Sequence, residues 1–434
     1  MRFRVVILLI VLINIFSSCR KDKDDILPVV IISSPSENQV FSALDTIPIV
    51  ATIEDETNLE LVEIVVCDNN KAPVLSPVTI KPEEKNISIN LLYIMDDITL
   101  ASGNYYLRIK AFDGINTVTK YRTIQVSEVA REMKYIYIMS YFNSTTIQLQ
   151  RKIIGDSLEN LFYVNSDYCS TASNSKFQLY STCGKIYGDM NIYDVSSNTL
   201  QWSVPVVSDP PFPYFTNNTM FNNLFYCSFY NGSIKGYQNN GTQIFASMAP
   251  TGSYPVKLFA NEDYVFADHA CYSGQERRFG VYYNSSGAMK QQLTTDFEIT
   301  NMFQKNNDEL IVFGNGNGQG IVKIYSISNN GFWDPHALPT GLINDAVQID
   351  ENNYIFSLGG NLYKYQYNMN SLTTYLSGVN ASVIKYDDIY SQLYVAVGNT
   401  IIIYDYETHA LNSSITAANT VLGFEMIYNK LIVR

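Results

Sequence analysis

Residues 46–55 (TIPIVATIED) place Ile47, Ile49, Ala51 and Ile53 on one side of an extended chain and Pro48, Val50 and Thr52 on the other. Residues 104–113 (NYYLRIKAFD) repeat the pattern, with Tyr105, Leu107, Ile109 and Ala111 facing one way and Arg108 and Lys110 the other. Such period-two alternation sets one face of a strand on a core and leaves the other in water. Asp113-Gly114 is a turn signal, and residues 115–126 read as the returning strand. About seven strands fall within about 100 residues, which predicts a β-sandwich over residues 28–127.

From residue 133 onward, short apolar-aromatic runs recur. Residues 134–139, 177–180, 223–226, 264–267, 309–313, 354–357, 392–397 and 430–433 each read as a strand. A second strand ending in Tyr follows most of them, at 191–194, 234–237, 280–283, 322–325, 362–365 and 401–405. Successive runs start about 40–45 residues apart, the period of a propeller blade. A blade cannot bury both its faces alone, and packing blades about an axis solves that. Eight runs enclose seven periods, so residues 133–434 are expected to form a β-propeller of seven blades, with six or eight as the alternatives because the second blade is irregular. Residues 430–434 are expected to close the ring beside the first blade. No long helix is visible, and the chain reads as all-β.

The first residues carry an address. Arg2 and Arg4 precede an apolar run over 5–16 that only Asn14 interrupts. The run is shorter than the roughly 20 residues of a membrane span, so residues 1–18 read as an export signal. Residues 19–27 begin CRKDKDD and form a short charged tether. The formal charge of the whole chain is −12, which argues against a nucleic-acid partner. Only 16% of residues are charged, while Tyr alone numbers 33, a balance suited to short strands and polar turns. The six cysteines contain no CxxC pair, so zinc and haem have no support. Cys169 and Cys183 could pair across one blade, though buried free thiols are the simpler expectation.

Residues 16–19 (FSSC) resemble the cleavage box of bacterial lipoproteins, which implies a lipid anchor on Cys19. Phe16 stands where that box usually has Leu. Residues 29–35 (VVIISSP), the segment 53–66 and residues 102–113 look like bacterial Ig-like or cadherin-like modules. Residues 392–411 (QLYVAVGNTIIIYDYETHAL) resemble the repeat of YncE-like and quinoprotein-like bacterial propellers. Together these features resemble surface lipoproteins of Bacteroidetes. The resemblance implies an outer-membrane location, facing the cell surface rather than the periplasm.

In a propeller, the turns between second and third strands share a face with the connections between blades, and ligands commonly bind there. Tyr141, Phe142, Phe229, Tyr230, His269, Tyr272, Arg277 and Arg278 are expected near that face. Residues 208–215 (SDPPFPYF) should join them, with prolines presenting Phe212, Tyr214 and Phe215 at low entropy cost. The binding candidates are therefore Phe212, Tyr214, Phe215, Tyr230, His269, Tyr272, Arg277 and Arg278. Aromatic faces beside Arg suit a sugar or a peptide; packing between blades is the alternative. Only His269, His336 and His409 are available as histidines, and His409 reads as a turn residue. The glycine-rich stretch 314–320 (GNGNGQG) is not followed by a helix, so it reads as a hairpin turn and not a nucleotide loop.

No catalytic motif, metal set or cofactor signature stands out. The expectation is a non-enzymatic lipoprotein that binds a glycan or an envelope protein on the loop face. The alternative is a polysaccharide lyase or hydrolase working through the 268–278 loop.

Overall fold

The computed structural model describes residues 26–207 and 212–430. The export signal, Cys19, most of the tether, residues 208–211 and residues 431–434 lie outside the described residues. The chain divides into two compact units, one up to Ala130 and one from Arg131 onward. All regular structure among the described residues is β.

The first unit has a three-stranded sheet of Val29–Ser34, Thr46–Glu54 and Asn86–Ile94. Its second sheet has five strands in the order Gln39–Ser42, Thr117–Ser127, Gly103–Phe112, Leu61–Cys67 and Val78–Ile80. Ile47, Ile49, Ala51 and Ile53 meet Val62, Ile64, Leu107, Ile109 and Ala111 in one core shared by both sheets. The alternation in the sequence therefore marks the buried faces correctly. On the opposite face Arg108 pairs with Glu63.

The second unit contains seven four-stranded antiparallel sheets among the described residues. Six are consecutive meanders, spanning residues 170–204, 215–248, 253–295, 298–333, 343–376 and 383–416. The remaining sheet joins the two ends of the unit. Met133–Asn143, Thr146–Ile153 and Leu158–Asn165 are completed by Val421–Tyr428, which pairs with Met133–Asn143. The first strand of each meander touches the first strand of the next, and Val421–Tyr428 touches both Ser170–Asn174 and Val383–Asp387. The inner strands thus form a closed ring, and the unit is a β-propeller.

This arrangement corrects two details of the sequence reading. The legible apolar runs are the second strands of their sheets, not the first. Leu224–Phe229 and Asn353–Leu358 are buried at five of six positions because neighbouring sheets cover both faces. The ring is closed by Val421–Tyr428, and Lys430 falls beyond the closing strand.

Tyrosines fill the space between sheets. Tyr137, Tyr180, Tyr226, Tyr282, Tyr325, Tyr354 and Tyr365 are all fully buried. Several satisfy their hydroxyls at turns. Tyr137 donates to the Val195 carbonyl at 2.9 Å, and Tyr226 donates to Asn284 at 2.6 Å. Tyr325 and Tyr365 donate to Asn330 and Asn370 at 2.9 and 3.3 Å. Asn198, Asn330, Asn370 and His409 all have positive φ in these turns, a conformation that Asn adopts readily. The Tyr- and Asn-rich composition thus follows from the ring: a large apolar wedge whose polar tip ends at a turn amide.

The closing strand is bound on three sides. Its ladder runs along Met133–Asn143. Tyr428 donates its hydroxyl to buried Asp387 at 3.1 Å, and its carbonyl accepts from Gln178 at 2.7 Å. Phe424 is fully buried in this strand. Phe424→Ala is expected to lower the unfolding free energy by about 3–5 kcal/mol in urea titrations. Ser414→Ala, on an exposed outer strand, should stay within about 0.5 kcal/mol. Equal effects from the two variants would contradict a ring that depends on its closing strand.

Candidate functional site

The loop face carries the turns between second and third strands together with the connections between sheets. In this region the third and fourth sheets, spanning 215–248 and 253–295, bring four aromatic rings together. Tyr230 lies at the centre. It stacks on Phe212 with centroids 5.5 Å apart and planes within 19°. It also meets Tyr254 at 4.5 Å and the edge of Tyr272 at 5.2 Å. Tyr254 and Tyr272 touch each other at 5.2 Å.

Local backbone contacts hold this shelf. The Tyr230 amide donates to the Tyr214 carbonyl at 3.0 Å, tying the 212–214 connection to the turn after Phe229. The Tyr272 amide donates to Gly252 O at 3.0 Å, and its hydroxyl donates to the Tyr230 carbonyl. Phe212 and Tyr272 remain 56% and 47% exposed, so the shelf shows two rings to solvent while Tyr230 and Tyr254 support them. Partial burial raises the phenol pKa values of Tyr254 and Tyr272. Both therefore stay neutral and can act as hydrogen-bond donors.

The other candidates are placed differently. Phe215 is fully buried and packs on Phe229 with centroids 5.3 Å apart. Tyr214 is half-buried and braces the same two rings. Arg278 bonds to Glu276 at 3.2 Å and to the Thr251 carbonyl at 3.0 Å, beside Gly252. Arg277 is committed to Asp268, which is fully buried and also accepts from the Ile299 amide at 3.0 Å. Removing that guanidinium would strand a buried carboxylate, which burial already pushes toward protonation. His269 is fully buried, with its Nε2 2.9 Å from the Tyr282 hydroxyl and its Nδ1 without a partner. Burial, followed by the fields of Arg278 and Arg277, lowers its pKa to about 3. The side-chain bonds of His269 and Arg277 go to Tyr282 and Asp268 and not to the shelf, although the Arg277 charge acts on Tyr254 through space. Phe142 meets Tyr163 instead of the shelf, at 4.7 Å.

Tyr254 is the shelf residue that sequence reasoning missed. It sits in Ser253–Ala260, an inner strand that carries Pro255 and a bulge between Pro255 and Lys257, so no alternation marks it. Residues 314–320 do form a hairpin, with Asn317 and Gly318 at φ 53° and 77° in its turn. The five described cysteines are free thiols. Cys169, Cys183 and Cys227 share one packed cluster. No group of three or more His, Cys, Asp or Glu side chains among the described residues is arranged to hold a metal ion.

No family model matches the chain, and no curated protein does. Among solved structures, it is similar to a quinoprotein alcohol dehydrogenase-like protein from Bacteroides thetaiotaomicron, at 11% identity and a TM-score of 0.46. That match covers 93% of this chain and 99% of the other. It is also similar to the WD40 β-propeller domain of Doa1, at 11% identity and a TM-score of 0.48, covering 66% of this chain and 88% of that one. The Dos1 propeller matches at 14% identity and a TM-score of 0.42, covering 60% and 71%. The propeller assignment itself rests on the strand order and the closed ring.

His269 gives this region a pH signature. An unfolded histidine titrates near about 6.5, whereas the folded one stays neutral until about pH 3. Its contribution to stability is complete above about pH 6.5 and is lost as pH falls toward about 3, at about 1.4 kcal/mol per unit. His269→Gln, compared with the wild type in urea titrations at pH 7.5 and pH 5, should therefore show a stability loss smaller by about 2 kcal/mol. An unchanged slope would mean that His269 is solvated and free to act elsewhere.

Proposed function

We propose that this protein is an exported, lipid-anchored binding protein that holds a glycan on the loop face of a seven-bladed propeller. The observation that carries the reading is the aromatic shelf of Phe212, Tyr230, Tyr254 and Tyr272. Sugar rings have apolar C–H faces that lie well on aromatic planes, and exposed Phe212 and Tyr272 offer such planes. Arg278 and the turn amides nearby supply polar contacts at the rim. An acidic, charge-poor surface disfavours nucleic acid and suits a neutral ligand.

In this reading the first unit is an Ig-like spacer, the charged tether keeps both units off the membrane, and Cys19 carries the lipid at the outer membrane's surface. The enzyme alternative is not favoured. Its most plausible residues, His269, Asp268 and Arg277, are engaged in buried structural contacts.

Titration of the protein with polysaccharides of varied composition should identify a ligand whose affinity falls at least tenfold in Tyr272→Ala and in Phe212→Ala, with unchanged unfolding midpoints. Full affinity in both variants would remove the shelf from the function, and capture of an envelope protein through the same rings would replace glycan by protein. Incorporation of labelled palmitate in bacterial cells should occur in the wild type and disappear in Cys19→Ser. Equal labelling would refute the anchor.

A further inference from the structure

Inside the ring, five inner strands carry a bulge at matching positions: Phe215/Asn217, Pro255/Lys257, Ile299/Asn301, Ile343/Ala346 and Val421/Gly423. A bulge bends its strand and re-aims the side chains beside it. In three sheets the re-aimed side chain ties its strand to the next one. Asn217 Oδ1 accepts from the Leu258 amide at 3.2 Å, and Asn301 Oδ1 accepts from the Ala346 amide at 3.1 Å. Asp345 Oδ2, within the sixth sheet's bulge, accepts from the Ile384 amide at 2.7 Å.

In the fourth sheet, residue 257 holds the same place as Asn217 and Asn301, and it is a lysine. An ammonium group has only donors and cannot accept an amide proton. Among the described residues Lys257 Nζ makes no hydrogen bond and no ion pair within 4.0 Å. It lines a cavity of about 340 Å³ in the channel.

The other charges of this cavity are already engaged. Lys385 pairs with Glu425 at 2.8 Å, and Glu425 also accepts from Ser173 at 2.8 Å. Asp345 accepts from Asn301 Nδ2 at 2.9 Å in addition to the Ile384 amide, and it acts on Lys257 only through space. Desolvation lowers the Lys257 pKa, which an anion in contact with the ammonium would reverse. A half-buried cation with no direct partner loses part of its hydration and gains no contact in return.

At the loop-face end of the cavity stands Tyr168, held in the left-handed region at φ 32°. Its hydroxyl lies so close to the Cα of Gly423 that a side chain there would collide with it. The strained tyrosine and the glycine that admits it place in the channel a second donor that has no partner among the described residues.

We propose that Lys257 is the carboxylate-binding residue of a ligand site within the channel, with a small polyhydroxy acid of the sugar-acid class as its ligand. The ammonium receives the carboxylate, the Tyr168 hydroxyl donates to the same anion or to its neighbouring oxygen, and Asn344, Thr300 and Ser382 meet the hydroxyls. This site is separate from the aromatic shelf and does not depend on it.

The test is calorimetric titration of the full protein with glucuronate and galacturonate, with glucose and acetate as controls. The wild type should bind at least one uronate, and neither control should match it. Lys257→Met should weaken that binding at least tenfold and Lys257→Arg should restore part of it, while Tyr272→Ala leaves it unchanged. The unfolding midpoint of ligand-free Lys257→Met should equal or exceed that of the wild type, because an unpaired charge has been removed. No uronate binding, binding equal to that of glucose or acetate, or binding indifferent to Lys257→Met would overturn the proposal. A marked fall in the Lys257→Met midpoint would also overturn it, by showing that the cation serves the fold as the counter-charge of Asp345. Failure of the shelf variants to affect polysaccharide binding would leave this site standing, and the reverse also holds.

Discussion

A ring of sheets has no stable open form with the same packing: each sheet needs a neighbour on both faces. Here everything in the second unit depends on one pairing, that of Val421–Tyr428 with Met133–Asn143. Until the end of the unit returns, the first sheet lacks its inner strand, and the strands Ser170–Asn174 and Val383–Asp387 lack a neighbour on one side. The contacts that secure the return are long-range in sequence and partly charged, as in the Lys385–Glu425 pair and the Tyr428–Asp387 bond. Such topology is costly in loop-closure entropy before it is rewarded. Once closed, it encloses a channel that no single sheet could make.

The tyrosines translate that closure into specific packing. Tyr137 and Tyr180 stack with centroids 4.0 Å apart across the first two sheets, and Tyr180 continues onto Tyr193 at 5.3 Å. Burial pushes the Tyr137 and Tyr226 pKa values up to about 12, so these phenols are neutral at any physiological pH. Phenylalanine would fill the same volume but would leave the turn amides of Asn284, Asn330 and Asn370 without these donors. The tip of the ring is therefore as informative as its face, because it fixes which turn each wedge must meet.

The legibility of the sequence follows from burial. The first unit has sheets with one wet face, and Ile47, Ile49, Ala51 and Ile53 announce it by alternation. The second strands of the propeller sheets are covered on both faces, so they appear as continuous apolar runs and fix the repeat. Inner strands such as Phe215–Phe221 (FTNNTMF) and Ile343–Gln348 (INDAVQ) border a polar channel and carry bulges, so neither period applies. That is why the repeat shows itself one strand out of phase, and why Val421–Tyr428, with its glycine and glutamate, stands out less than the apolar residues after it. The shelf was legible where aromatics sit in turns and connections, as with Phe212, Tyr230 and Tyr272. It was illegible at Tyr254, which belongs to an inner strand.

The same rule decides where chemistry can reside. A polar residue on a second strand has a sheet on either side, so its contacts are with the protein and not with solvent. Asp268 and His269 lie in Tyr264–Cys271: Asp268 is held by Arg277 and the Ile299 amide, and His269 meets Tyr282 through Nε2 while its Nδ1 has no partner among the described residues. Of the polar residues around 268–278, Asp268, His269 and Arg277 therefore belong to an internal network, while the turn 272–276 is exposed. An inner strand differs, because one of its faces borders the channel and its bulge can turn a side chain out of the ladder. Most such side chains here are used to bind one sheet to the next. A position of that kind occupied by a residue unable to make the bond is freed from the fold, and its charge is left facing the cavity.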